Sequence, residues 1–311
     1  MTAAQPTNIT RPAYLQKGDS IAIVAPAGII KNHTSIHKAV KLAESWGLSV
    51  LLGAHVFDKH FHFAGSDANR LKDLQWALDH PSIKAIWCAR GGYGSIRIID
   101  DLNFDLFKKH PKWIIGYSDI GVLHNHIHHL NIETLHAMMP VNMELPEKDR
   151  KESVASLKKA LFGQHIQYDI PSSIFNKTGV AKGRLIGGNL TILENLLGTD
   201  SSVNPKNRIL FIEEIGEYKY HIDRMFRALK RNGHFDHCKG LIIGGMSQIK
   251  ENNPVFGQSI EQIVLKIVKE HLFPVVFNFP AGHDDENRAL FMGREVELSV
   301  QKNNTVLRFL D

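Results

Sequence analysis

The chain has 311 residues, 43% of them hydrophobic, enough for a sizeable core and longer than a single core usually grows, so two domains are expected. Its 37 basic and 32 acidic residues give a formal charge of +5 without long blocks of one sign. That distribution excludes a nucleic-acid footprint and suits a substrate carrying carboxylates. The two cysteines offer neither a disulfide framework nor metal-ligand spacing, and Cys88 and Cys238 read as reduced, buried small hydrophobes. No run approaches the length needed to cross a bilayer, and Met1 to Pro12 has no basic region followed by an apolar stretch. A cytoplasmic protein with no membrane association is therefore expected.

In chain order, β-rich runs alternate with helical patterns. Ser20 to Ala25 reads as a buried strand ending in Pro26-Ala27-Gly28, and Ser35 to Trp46 carries apolar residues at helical spacing before a terminating Gly47. A strand near Ser49 to Leu52, a helix from Asp67 to Leu78, a strand from Ala85 to Ala89 and a strand from Trp113 to Tyr117 follow. This βα alternation predicts a mostly parallel sheet with helices on both faces, and ligands in such sheets collect beyond the carboxyl ends of the strands. The loops after residues 25, 89 and 117 are the expected active-site edge.

From Pro140 to Thr178 the pattern loosens, which places a boundary there. The expected division is a domain over 1–165, a linker over 166–179 and a second α/β domain over 180–311. The second block opens at Gly183-Arg-Leu-Ile-Gly-Gly-Asn-Leu, read as a tight bend before a helix from Thr191 to Leu197. A strand Arg208 to Ile212, a helix Tyr220 to Lys230, a strand Gly240 to Gly244, a helix Ser259 to His271 and a strand Val275 to Phe279 come next. The tail adds short β-like runs at Glu295 to Ser299 and Thr305 to Phe309.

Three residues fall at the ends of such strands in the order Ser, Glu, His. In Lys112-Trp-Ile-Ile-Gly-Tyr-Ser-Asp-Ile-Gly the apolar run stops at Ser118 and helix-compatible sequence begins at once. This is the strand-to-helix turn of a nucleophile, although Ile120 replaces the second glycine of G-x-S-x-G and a Ser-Asp pair is also a common helix N-cap. Glu213 ends Ile209-Leu-Phe-Ile and is followed by Glu214; alone, either reads as a solvated strand end. His283 lies in Phe279-Pro-Ala-Gly-His, where a turn histidine is the plainer reading. Together they supply hydroxyl, base and orienting carboxylate. Gly91 and Gly92, one strand away from Ser118, offer backbone N–H groups for an oxyanion together with the N–H of Asp119. The same loop lacks the pattern of a phosphate-binding loop.

Two other classes compete. His124, His126, His128, His129 and His136 crowd one segment, and the i, i+4 spacing of His124 and His128 is compatible with a metal, but no H-E-x-x-H pattern accompanies them. A non-catalytic binding module on a doubly wound sheet is the other.

Ala-Arg-Gly-Gly-Tyr-Gly (89–94), Ile-Gly-Tyr-Ser-Asp-Ile (115–120), Gly-Gly-Asn-Leu (187–190), Phe-Ile-Glu-Glu-Ile-Gly-Glu (211–217) and Pro-Ala-Gly-His (280–283) occur in that order. In this set the chain, from about Arg11 to Leu310, resembles the LD-carboxypeptidase family of serine peptidases, which includes murein tetrapeptide carboxypeptidase and the microcin C self-immunity protein. The resemblance implies a flavodoxin-like, or class I amidotransferase-like, N-terminal α/β domain carrying the nucleophile and a C-terminal α/β domain carrying Glu and His. It implies a triad of Ser118, Glu213 (rather than Glu214) and His283, no cofactor and no metal. It also implies a cytoplasmic homodimer that removes the terminal D-alanine from murein tetrapeptide in cell-wall recycling. The alternative within the family is hydrolysis of a peptide-nucleotide amide, and the Arg90-Gly-Gly-Tyr-Gly run is closer to the murein branch. An exopeptidase must also hold a free carboxylate, and Arg90 and Arg184 are the candidate clamps, with structural hydrogen bonding as the competing role.

Overall fold

The structure is a computed structural model that describes residues 9–310. Residues 1–8, part of the segment on which the targeting expectation rests, lie outside the described residues. The chain forms two compact units, one of residues 1–164 with 289–293, the other of residues 165–288 with 294–311.

In the first unit the chain runs β1 (Ser20–Val24), α1 (His33–Ser45), β2 (Ser49–Leu52), α2 (Asp67–Asp79), β3 (Ile83–Cys88), α3 (Asp105–Lys109), β4 (Trp113–Gly116), α4 (Gly121–His129), β5 (Thr134–His136) and α5 (Glu147–Leu161). Strands β1 and β4 are almost wholly apolar and buried, as strands covered on both faces must be. Helix α1 starts where the Asn32 side chain accepts from the Thr34 amide, and α2 where Ser66 accepts from Asn69. The first five strands stand in the order β2-β1-β3-β4-β5, all parallel. That is the flavodoxin-like order, with its switch point between β1 and β3.

The second unit begins with β6 (Gln167–Pro171) and β7 (Gly179–Asn189), then α6 (Leu190–Asn195), β8 (Arg208–Ile215), α7 (Lys219–Arg231), β9 (Gly240–Ser247), α8 (Ile260–Ile267) and β10 (Val275–Val276). The chain next supplies β11 (Leu290–Met292), antiparallel to β5 at the edge of the first sheet, before β12 (Glu295–Val300) and β13 (Asn304–Phe309). The second sheet has the order β10-β9-β8-β7-β12-β13-β6. It is parallel from β7 to β10 and antiparallel from β7 through β12 and β13 to β6. Its core includes Ile222, Met225, Phe226 and Leu229 of α7 packed with Ile243, Ile263, Val264 and Phe277. Each such side chain contributes about 1.5–3 kcal/mol by leaving water.

Several elements depart from the sequence expectation. Residues 166–179 are not simply a connection, because β6 within them hydrogen-bonds to β13. Gly183 to Asn189, read as a bend, continues a strand of 11 residues. The strand expected over Val275 to Phe279 is only two residues long, and the helix expected to reach His271 stops at Ile267.

Candidate active site

Tyr117 and Ser118 follow β4 directly, and Ser118 has φ of +63°. A side chain with a Cβ adopts that left-handed conformation only when its surroundings hold it there, and it turns the serine out of the strand. The loop after β3 supplies part of that hold. A Cβ on Gly91 would stand 3.1 Å from the Ser118 Cβ, 3.3 Å from its Oγ and 3.2 Å from the Asp119 amide nitrogen. A side chain at Gly91 would press on all three atoms and push the turn back by a few tenths of an ångström. The loop after β1 joins in, since the Gly28 amide donates to the Gly91 carbonyl at 2.9 Å. Three strand ends thus converge on Ser118, as the parallel βα alternation predicts. Gly92 instead has Gly28 and Arg90 as its nearest neighbours.

Arg90 is half-buried and its Nη1 donates to the Ile29 carbonyl at 3.0 Å, so it braces the loop after β1. Arg184 does not gather with the other candidates of its own unit. It pairs in register with Arg208 at the amino end of β8, whereas Glu213 lies five positions on, opposite Asn189. At about 3.3 Å per residue that separation is roughly 16 Å along the strand. Arg184 therefore lies at the opposite end of the strand pair from Glu213.

In the second unit Glu213 and Glu214 are both buried, 0% and 2% exposed, so neither is a solvated strand end. Consecutive strand residues point to opposite faces, and a register shift between Ile212 and Glu214 loosens the ladder there. Glu213 Oε2 meets His283 Nδ1 at 2.6 Å. Glu214 accepts from Asn189 Nδ2, the Thr191 amide, the Thr191 hydroxyl and the Ile215 amide at 2.7–2.9 Å, tying β8 to the start of α6. Of the two carboxylates, Glu213 is the one paired with the histidine.

The loop carrying His283 lies over the carboxyl ends of β9 and β10. The Gly245 amide donates to Ala281, Gly282 donates to the buried Asn287 side chain, and Ser247 donates to Asp284. Burial, the largest single effect on His283, disfavours its charged form. The Glu213 charge and hydrogen bond, with Glu214 and Asp284, outweigh it and hold the imidazole above its usual value. A carboxylate on Nδ1 keeps the proton on that nitrogen in the neutral ring and puts the basic lone pair on Nε2. A cavity of about 480 Å³ adjoins this loop, walled by Gly245, Met246, Phe277, Asp284 and Glu286.

Two of the clustered histidines, His124 and His128, have partners within the fold. His124, buried in α4, has Nε2 2.9 Å from the Gly116 carbonyl, and burial pushes its pKa down to about 4, so the ring is neutral and donates. His128 Nε2 stands 3.4 Å from the Thr134 hydroxyl. Among the described residues no group of three or more His, Cys, Asp or Glu side chains is arranged to hold a metal. Cys88 and Cys238 are free and buried, and burial raises both thiols.

Arg70 escaped the sequence reading. Its guanidinium is 1% exposed, donates to the carbonyls of Pro26 and Gly94, and pairs with Asp67. It thereby joins the loops after β1 and β3. Only its place inside α2, on an otherwise amphipathic helix, signals it in the sequence.

A left-handed serine after a parallel strand and a buried carboxylate–histidine pair at another strand's end put the chain among the α/β serine hydrolases. It belongs to the LD-carboxypeptidase family: residues 21–137 match that family's N-terminal domain and residues 182–298 its C-terminal domain. It is 31% identical over 302 residues to a probable murein peptide carboxypeptidase of Bacillus subtilis, covering 96% of this chain and 94% of the relative. It is 29% identical to murein tetrapeptide carboxypeptidase of Pseudomonas aeruginosa, covering 89% and 92%. The crystal structure of muramoyltetrapeptide carboxypeptidase from Oxalobacter formigenes superimposes with a TM-score of 0.84 at 26% identity, over 94% of this chain and 99% of that one.

Proposed function

We propose that the protein is a serine L,D-carboxypeptidase that removes the C-terminal D-alanine from a murein tetrapeptide. The observation that carries this reading is the buried Glu213–His283 pair at 2.6 Å, which orients a base in a chain whose relatives include proteins named murein tetrapeptide carboxypeptidase. In the proposed mechanism His283 Nε2 takes the Ser118 proton as the hydroxyl attacks the scissile carbonyl. The Asp119 amide and one from the Gly91-Gly92 loop receive the tetrahedral oxyanion. Protonated His283 then donates to the departing D-alanine nitrogen, leaving the tripeptide as an ester on Ser118. Water, deprotonated by the same imidazole, hydrolyses that ester and restores the serine. Glu213 steadies the imidazolium in both halves and stays ionised.

Arg90, beside Gly28 and Gly91, is the proposed contact for the substrate's terminal carboxylate. The family resemblance further motivates a cytoplasmic homodimer; among the described residues no helix is long and apolar enough to cross a membrane. The test is release of free D-alanine from a tetrapeptide with an L-configured centre before the terminal residue. Release is expected with and without EDTA. Absence of release, or release abolished by chelation and restored by a divalent metal, would overturn the proposal. Light scattering across a dilution series checks the dimer.

A further inference from the structure

A single peptide group beside the nucleophile turn is gripped at both ends by buried opposite charges. The Gly94 carbonyl accepts from Arg70 Nη1 at 2.9 Å, and the amide of the same peptide, on Ser95, donates to Asp119 Oδ2 at 2.8 Å. Asp119 is 1% exposed and Ser95 0%. The peptide's own dipole is thus aligned between a cation on its oxygen and an anion on its N–H, in a site closed to water, where such hydrogen bonds are at their strongest. Gly94 has φ of +146°, and a Cβ there would come within 2.7 Å of Arg70 Nη1, so the grip also dictates the glycine.

We propose that the Asp119 carboxylate is a positioning residue that, through the Gly94–Ser95 peptide and Arg70, sets the glycine-rich loop against Ser118 and fixes the oxyanion-binding amides. The inference rests on Ser118 being the nucleophile. One side chain then ties together the two candidate donors: Asp119 carries one amide on its own backbone and anchors the loop that carries the other. Burial raises the Asp119 carboxyl, opposed by hydrogen bonds from Ser95 and Gly94 and by the Arg70 charge.

The experiment compares wild type, Asp119→Ala, Asp119→Asn and Gly94→Ala. Each is measured for D-alanine release from the tetrapeptide, for the rate of labelling by a fluorophosphonate, which needs a serine nucleophile and an oxyanion site but no murein, and for thermal melting. Asp119→Ala is expected to lose kcat by about 10²–10³-fold, the effect of losing an oxyanion donor, with KM changed by no more than about threefold. Labelling should slow in parallel. Asp119→Asn, whose amide oxygen still accepts from Ser95, should recover at least about tenfold of that loss. Gly94→Ala, which crowds Arg70 Nη1 and strains the loop backbone while keeping the Asp119 side chain, should repeat the kcat defect in a protein that still melts cooperatively.

Wild-type kcat and labelling in Asp119→Ala would overturn the proposal, as would an Asn variant no better than Ala, or a loss that follows the unfolded fraction alone. Wild type that labels at Ser118 but releases no D-alanine would overturn the substrate assignment while the labelling rates still test the grip. Wild type that neither labels nor releases would overturn both.

Discussion

Glu213 and Glu214 are adjacent, equally buried and chemically alike, yet their partners predict opposite phenotypes. Glu213→Gln keeps the volume but lets the wrong tautomer of His283 dominate, so kcat should fall by about 10³–10⁴-fold with little change in denaturant midpoint. Glu214→Ala leaves the donors of Asn189, Thr191 and Ile215 unpaired in the interior, and should cost about 2–4 kcal/mol in chemical denaturation. Identical losses of stability in the two variants would contradict the assignment. His283 adds a pH signature. The base must be neutral, and its folded pKa is raised, so the acid limb of kcat/KM should lie above the ordinary histidine value of 6.5. Asp284→Asn removes one of the raising charges and should move that limb to lower pH. The stability from the raised pKa has the opposite sense: it is fully present below the unfolded value and is lost as pH rises through the folded one. At this scale Ser118 and His283 stand out as candidates in the sequence because each follows an apolar run. Choosing between the two glutamates took the family resemblance, since local pattern leaves both open, and Arg70 was hidden because its partners are backbone carbonyls 24 and 44 residues away.

Among the elements, the joint between β4 and α4 carries the proposed nucleophile, and His124 spans it. The ring has a folded pKa of about 4 and an unfolded value near 6.5, so the unfolded chain takes up a proton that the folded one refuses. Stability is therefore lost as pH falls from about 6.5 towards 4, on the order of 3 kcal/mol from this residue. His124→Gln keeps a donor for the Gly116 carbonyl without the titration. Its unfolding free energy should fall less steeply over that interval, and an unchanged slope would contradict the role given to the histidine. The parallel strands β1, β3, β4, β8 and β9 were legible as buried apolar runs. Strands β5, β6 and β11 were not, because three to five residues carry little periodicity and their pairing is set by partners far along the chain.

Across the whole chain, the sequence divides where the structure does only approximately. The loosened pattern after residue 140 reflects polar α5 and the edge strand β6, whose alternation of exposed and buried residues resembles a loop in composition. The return of residues 289–293 to the first sheet has no local signature, since a three-residue apolar strand reads like any buried segment. At long range the sequence holds the order of the proposed catalytic residues, with Ser118 in one unit and Glu213 and His283 in the other. The most direct measurement is therefore the D-alanine release rate of Ser118→Ala against wild type, on protein shown by melting to be folded. A fall of about 10⁴-fold or more, unaffected by EDTA in the wild type, is the predicted result. Release by Ser118→Ala within tenfold of wild type would contradict the serine mechanism.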